Sequence, residues 1–230
     1  MKRPPVIAID GPVAAGKSTV AQLLARRLGY FYLDTGLIYR ALTLKAIQSG
    51  IDPTDGPALA GLARTLRVRI KPPSTRDGRL NDVLMDGQDV TTQLRSPEVD
   101  ANVSAVSAHA SVRDALVKPQ QRSIRLPGTV VAGRDIGTVI FPDADVKIYL
   151  DANPEERARR RLVQQGAWSE SGLVDTLRRI QERDRLDSTR AVAPLQAPAD
   201  ALIIDTDDVG PEQVVQRIIE VFEARGGADG

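Results

Sequence analysis

The sequence predicts an α/β fold built on one parallel sheet, and three observations carry that prediction. Gly11-Pro12-Val13-Ala14-Ala15-Gly16-Lys17-Ser18 is a complete G-x-x-x-x-G-K-[ST] phosphate loop, placed directly after the apolar run Val6 to Ile9. Four further short apolar runs, Tyr30 to Leu33, Thr129 to Ala132, Val146 to Leu150 and Ala201 to Ile204, are separated by segments of helical periodicity. That is the pattern of buried parallel strands joined by crossover helices. Each run also ends at a polar or charged residue: Asp10, Asp34, Arg134 with Asp135, Asp151 and Asp205. Ligands of open parallel sheets bind beyond the carboxyl ends of the strands, so these side chains converge on the phosphate loop.

Each element follows from its local pattern. Gly11 and Gly16 permit the tight turn that aims successive N–H groups at a polyphosphate, Lys17 reaches the outer phosphates, and Ser18 can hold Mg²⁺. The helix from Ser18 to Leu28 adds its positive end, packs Val20, Leu23, Leu24 and Leu28 on one face, and stops at Gly29. A second helix, Gly36 to Gln48, carries Leu37, Ile38, Ala41, Leu42 and Leu44 and ends before Gly50. Val68 to Asp89 then breaks the rhythm. Val68 and Ile70 alternate with polar residues, and Leu80 to Met85 follows, with Pro72-Pro73, Asp77-Gly78 and Asp86-Gly87 as punctuation. We read an inserted lobe, residues 67–95, of three short antiparallel strands, with a disordered surface loop as the competing interpretation.

From Glu98 to Arg125 the helical stripe slips. Val99, Val103, Val106 and Ala110 share one face but Val112 and Leu116 another, so a break or bend is expected around Ala108 to Ser111. Ser104 and Arg113 would face opposite ways on one straight helix, whereas a bend lets both line a pocket. Pro154 opens a helix to Gln165, Pro211 opens the last helix, and residues 226–230 read as a frayed tail. The core would then comprise residues 1–66 and 96–225.

Composition narrows the function. The 230 residues with 42% hydrophobic content suit one packed core with insertions. Thirty-one basic against thirty acidic side chains and 3% aromatics leave neither a charge footprint nor a stacking platform for a nucleic acid polymer. There is no cysteine, no apolar run near the roughly 20 residues of a membrane span, and no signal peptide pattern before Val6. A soluble cytoplasmic protein without membrane attachment is expected. A monomer is the default, because no long exposed apolar stripe is evident.

Arginine outnumbers lysine 25 to 6. A genome-wide codon preference and a demand for planar phosphate clamps both explain the total, so only positions near the site discriminate. Arg183, Asp187 and Arg190 are spaced i, i+4, i+7, which puts them on one side of a helix whose other side is read as Leu173, Leu177 and Ile180. Alone they are a solvated face with an Arg183–Asp187 ion pair of about 0.3–0.5 kcal/mol. With Arg40, Arg113 and Arg134 they become a candidate clamp. In the set Arg157, Arg159, Arg160 and Arg161, the i, i+4 pairs Glu155–Arg159 and Glu156–Arg160 account for two residues. Arg157 and Arg161 are left free for a lid, residues 154–172, over the triphosphate. His109, the only histidine, falls at the expected bend and reads as a surface or capping residue. With many arginines and no evident base, a phosphate acceptor is favoured. A phosphate monoester, with its second pKa near about 6, is already mostly dianionic and needs neutralisation rather than deprotonation. Asp34 would be the base if the acceptor were an alcohol.

Four blocks match a known family. They are Ile9-Asp10-Gly11-Pro12 with Ala15-Gly16-Lys17-Ser18-Thr19; Leu33-Asp34-Thr35-Gly36 with Tyr39-Arg40; Gly133-Arg134-Asp135-Ile136-Gly137-Thr138-Val139 with Phe141-Pro142-Asp143-Ala144; and Glu182-Arg183-Asp184 through Asp187 to Arg190-Ala191-Val192-Ala193-Pro194-Leu195. Over nearly its whole length the chain resembles the bacterial-type cytidylate kinases. The resemblance implies a P-loop nucleoside monophosphate kinase fold that transfers the ATP γ-phosphoryl group to CMP or dCMP with Mg²⁺. It further implies that residues 11–19 bind ATP and that Ser18 ligates the metal. Asp34, Thr35, Ser104, Arg113, Asp135, Arg183 and Asp187 would contact the nucleoside. Arg40, Arg134 and Arg190 would hold the acceptor phosphate, and Arg157 would act from the lid. Cytosine offers one amine donor with ring acceptors, which suits Asp135 as acceptor and Ser104 and Arg113 as donors. Two departures stand out. Val13-Ala14-Ala15 occupies a place where the family often has Ser-Gly-Ala, and Ala132 replaces an acidic residue.

Two rivals remain: a P-loop kinase for another acceptor such as UMP, AMP or a small alcohol, and a non-catalytic regulatory nucleotide-binding protein of the GTPase type. The latter would be expected to carry an Asn-Lys-x-Asp motif, which the sequence lacks.

Overall fold

A computed structural model describes residues 3–166 and 168–226. The tail read as frayed lies, apart from Gly226, outside the described residues. All five expected strands form: β1 (Val6–Asp10), β2 (Phe31–Asp34), β6 (Thr129–Ala132), β7 (Val146–Asp151) and β8 (Leu202–Asp205). They make one parallel sheet in the order β2-β6-β1-β7-β8. The central strand β1 is buried at every position, which explains why it reads as a continuous apolar run instead of an alternation. The chain leaves β1 towards β2 on one side and leaves β7 towards β8 on the other. A crevice therefore opens between the carboxyl ends of β1 and β7.

Helices cover both faces. The expected α1 (Lys17–Leu28), α2 (Gly36–Gln48), α6 (Pro154–Gln165) and α8 (Pro211–Ala224) form, and α7 spans Glu170–Thr189. The slip in hydrophobic register resolves into α4 (Pro97–Ala108) and α5 (Ala110–Gln121), separated by His109 in extended backbone with φ −68° and ψ 121°. His109 Nε2 lies 2.9 Å from the Pro53 carbonyl oxygen, so the lone histidine is a packing residue at a helix junction. One helix, α3 (Gly56–Thr65), has no counterpart in the sequence prediction. Its start is capped by Asp55, which accepts from the Ala58 N–H at 3.0 Å, and it buries Leu59, Ala60 and Ala63.

The three short strands form as β3 (Val68–Lys71), β4 (Asp82–Met85) and β5 (Gln88–Asp89), an antiparallel sheet. The sheet has no core of its own. Ile70, Val83, Met85 and Val90 pack in the cluster that contains Leu33, Leu42 and Leu116, so the inserted strands are fastened to α2, α4 and α5. No described helix is long and apolar enough to cross a membrane.

Asp10, at the end of β1, ties two distant segments. It is fully buried and accepts from the Ile136 and Gly137 N–H groups, each at 2.8 Å. These open a π-helical turn, Ile136–Ile140, whose wide ring is set by the tether. Burial pushes the Asp10 carboxyl up to about 6 against the pull of the two N–H groups. Asp10→Ala leaves two buried donors without an acceptor, so a loss of about 2–4 kcal/mol in urea unfolding is expected. A change below about 1 kcal/mol would contradict the tether.

Candidate active site

The phosphate loop leaves β1 at Gly11, whose φ of +146° is open only to glycine and where a Cβ would overlap the Leu150 carbonyl oxygen of β7. It ends at Gly16, φ +85°, the residue that caps α1. Between them Ala14 holds φ +60°, a left-handed conformation that costs a non-glycine residue roughly 1–2 kcal/mol. The alanine departure therefore matters more than the valine beside it. Ala14→Gly should raise stability by up to about 1 kcal/mol, the strain relief exceeding the entropy lost by the added glycine. A fall in melting temperature would show that the loop conformation does not carry this strain.

Lys17 folds back so that Nζ donates to the Pro12 carbonyl at 2.5 Å. Burial, and then the neighbouring Arg134, push its pKa down to about 7, with Arg183 adding to the fall while Asp10 and Asp34 resist it. Arg183 is itself pushed down to about 10, chiefly by Arg134. Three basic groups from three elements thus meet at one place, with Asp10, Asp34 and Asp187 beside them. Ser18 and Thr19 are exposed at the start of α1.

Carboxylates hold the surrounding guanidinium groups. Arg113 pairs with Asp135 at 2.8 Å, both nearly inaccessible, and also donates to the Ser107 carbonyl at 2.9 Å. The Arg113 guanidinium lies 5.2 Å from the centre of the Tyr39 ring. Asp187 takes Arg134 at 2.5 Å and Arg190 at 3.3 Å. Arg40 pairs with Asp100 at 2.6 Å and donates to the Leu94 carbonyl at 2.8 Å. Even so, Arg113 Nε, Arg183 Nε and Arg190 Nη2 are buried with no hydrogen-bond partner. Buried donors without acceptors are costly and rare, and these three lie in one cationic neighbourhood.

Several expectations change. Arg157 is not free: it is buried, donates to the carbonyls of Ala152 at 2.8 Å and Val13 at 3.2 Å, and pairs with Asp184 at 2.7 Å. Counting i, i+4 partners within its own helix misses these contacts, which come from other elements. Glu156–Arg160 forms at 3.0 Å, but Glu155–Arg159 is not among the described ion pairs. Nor is the Arg183–Asp187 pair, because Asp187 is committed to Arg134 and Arg190. The face carrying Arg183 and Asp187 is not opposite the apolar one either. At 100° per residue the stripe Leu173, Leu177, Ile180 continues through Asp184 to Asp187, and Arg183, Asp184 and Asp187 are all partly buried. Arg190 lies just past α7 in extended backbone.

Asp34 accepts from the Gly36 N–H at 2.9 Å. Burial pushes its carboxyl up while that N–H and the cations Arg40, Lys17 and Arg134 pull it down. Thr35 is buried, its hydroxyl donating to the Ala132 carbonyl at 3.1 Å. Ser104 lies half-buried on α4, one turn before the carbonyl that receives Arg113. Asp184, Asp100 and Asp10 went unassigned in the sequence. Among them only Asp10 carried a signal, at a strand end. Burial raises the Asp184 carboxyl against the opposing pull of Arg157.

A parallel five-stranded sheet, a Gly-Lys-Ser phosphate loop at its switch point and a ring of arginines define a P-loop kinase. The family model for cytidylate kinase matches residues 7–224. A cytidylate kinase of Pelotomaculum thermopropionicum is 49% identical over 94% of this chain and 94% of its own length. One from Desulfitobacterium hafniense is 45% identical over 96% of this chain and 94% of its own. The chain belongs to the cytidylate kinase family.

The depressed Lys17 pKa has a measurable consequence. Above about pH 7 the free protein holds this amine mostly neutral, and a bound polyphosphate favours its charged form. Nucleoside triphosphate binding at pH 8 should therefore take up close to one proton, read as a dependence of calorimetric heat on buffer ionisation enthalpy. The uptake should vanish in Lys17→Arg, and equal uptake in both proteins would refute the assignment.

Proposed function

We propose that the chain transfers the γ-phosphoryl group of ATP to CMP or dCMP, yielding ADP and the nucleoside diphosphate. What supports this above all is the set of buried guanidinium donors without acceptors, Arg113 Nε, Arg183 Nε and Arg190 Nη2, connected through Arg134 to Lys17. A site with unmet demand for oxygen acceptors suits two phosphorylated reactants. The names of the family relatives point the same way.

In this proposal Lys17 and the amides of residues 11–19 hold the donor triphosphate. Mg²⁺ would sit at the exposed Ser18 hydroxyl and supply charge neutralisation. The described residues contain no cluster of three acidic or histidine side chains for a metal, and Mg²⁺ commonly relies on one or two protein oxygens plus phosphates and water, so a single hydroxyl fits. Arg40, Arg134 and Arg190 exchange their carboxylate partners for the acceptor phosphate. Arg183 and Asp187, with Asp34 and Thr35 nearby, face the ribose side. Asp135, Arg113 and Ser104 read cytosine. The acceptor phosphate oxygen attacks the γ phosphorus in line as the bond to the β-phosphate oxygen breaks. The acceptor is already an anion, so no side chain needs to remove a proton. Residues 154–172 would close over the reactants, and Arg157 acts as a positioning residue that braces the loop at Val13.

Cytosine donates from its amine where uracil presents an oxygen acceptor, which a carboxylate at Asp135 repels. ADP release measured across CMP, dCMP, UMP and AMP should be fastest with the cytidine nucleotides. Asp135→Asn should raise KM for CMP by about tenfold or more, about 1.4 kcal/mol, with KM for ATP changed less than about twofold. Equal rates on all acceptors, or equal KM changes, would overturn the cytosine assignment.

A further inference from the structure

A second cationic site lies away from the phosphate loop. A cavity of about 620 Å³ opens between α2, α3, β3 and α5, and its charged lining residues are Arg64, Arg67, Arg69, Lys118, Arg122 and Arg125. No carboxylate lines it. In a chain with 31 basic and 30 acidic residues, six charged lining residues would all be basic by chance only about one time in sixty. Its floor is apolar, built from Ile38, Leu66, Ile70 and Leu116.

These six side chains are exposed, and what sets them apart from arginines elsewhere on the surface that are unpaired among the described residues, such as Arg26, Arg76 and Arg179, is that they ring one concavity. Here Arg64, Arg67, Arg69, Lys118 and Arg122 form no ion pair or side-chain hydrogen bond among the described residues. Only Arg125 is held, by the Ile70 carbonyl at 3.0 Å and the Phe31 ring at 5.2 Å. Asp86, the carboxylate within electrostatic reach of Arg67, is committed to Lys45 at 2.9 Å. Like charges gathered on three elements make the potential over the concavity positive, and no carboxylate is among its lining residues. None of the lining residues belongs to the catalytic neighbourhood.

From this geometry we infer a binding site for a multiply phosphorylated small molecule, its phosphates held by the arginine rim and its body lying on the apolar floor. The volume is within the range of roughly 300–1,000 Å³ typical of small-molecule sites. A nucleic acid polymer is disfavoured, since the basic residues gather around one concavity and do not form an extended stripe.

Calorimetric titration of the full chain with inorganic tripolyphosphate tests the inference. Wild type should bind at two sites. R69E/R122E should weaken one of them at least about tenfold and leave the other, whereas Lys17→Ala should do the reverse. A single wild-type site abolished by Lys17→Ala, or two sites indifferent to R69E/R122E, would overturn it. If the double charge reversal also loses the phosphate-loop site, the milder R69Q/R122Q is read in its place. Tight, salt-sensitive binding of single-stranded DNA lost in the same variant, with only one tripolyphosphate site, would overturn it in favour of a polymer. Because the two sites respond to different substitutions, failure here leaves the proposed kinase activity standing.

Discussion

The active-site architecture depends on how concentrated positive charge is stored when no phosphate is present. Asp187 takes two arginines, and Asp135, Asp100 and Asp184 take one each. Without these carboxylates the guanidinium groups would repel each other and splay into solvent. With them the side chains stay near their working positions. The Arg113–Asp135 pair, the most buried of them, gains little net stability, because desolvation offsets attraction, yet breaking it by removing a partner costs about 3–5 kcal/mol. The pairs are best understood as holders of position for the arginines.

The fold serves that storage. The switch point between β1 and β7 sets Gly11 against Leu150, and Asp10 draws in the turn that follows Asp135. The loop, Arg134 and Asp135 follow strand ends, the other arginines and carboxylates come from the surrounding helices or their ends, and a helix break at His109 turns Arg113 inward to meet Asp135. The Lys17 amine is pushed down first by burial and then by Arg134, and the Arg183 guanidinium chiefly by Arg134, so both register the charge at Arg134.

Much of this was legible in sequence because it is local. The strands are short apolar runs, the break between α4 and α5 is a slip in register, and the hairpins follow Asp-Gly dipeptides. What was hidden depends on partners far along the chain. Helix α3, which opens with Gly56-Pro57, is not among the elements predicted from sequence, although its Asp55 cap and Leu59, Ala60 and Ala63 spacing were a usable signal. The π-helical turn is dictated by Asp10, more than a hundred residues earlier. On α7 the spacing predicts Arg183 and Asp187 on the side opposite Leu173, Leu177 and Ile180, whereas Asp184 and Asp187 continue that stripe and are partly buried.

Arg157 shows why the loop tolerates its unusual sequence. Its guanidinium reaches the Val13 carbonyl and also the Asp184 carboxylate, so the brace uses main chain at position 13 and is indifferent to whether that side chain carries a hydroxyl. The conformation at position 14 has no such indifference, since φ +60° acts on the residue itself. The same brace links α6, α7 and the phosphate loop through one side chain. A movement of either helix must carry the Val13 carbonyl along or give up a buried charge-assisted contact, and that makes the loop sensitive to the position of both helices.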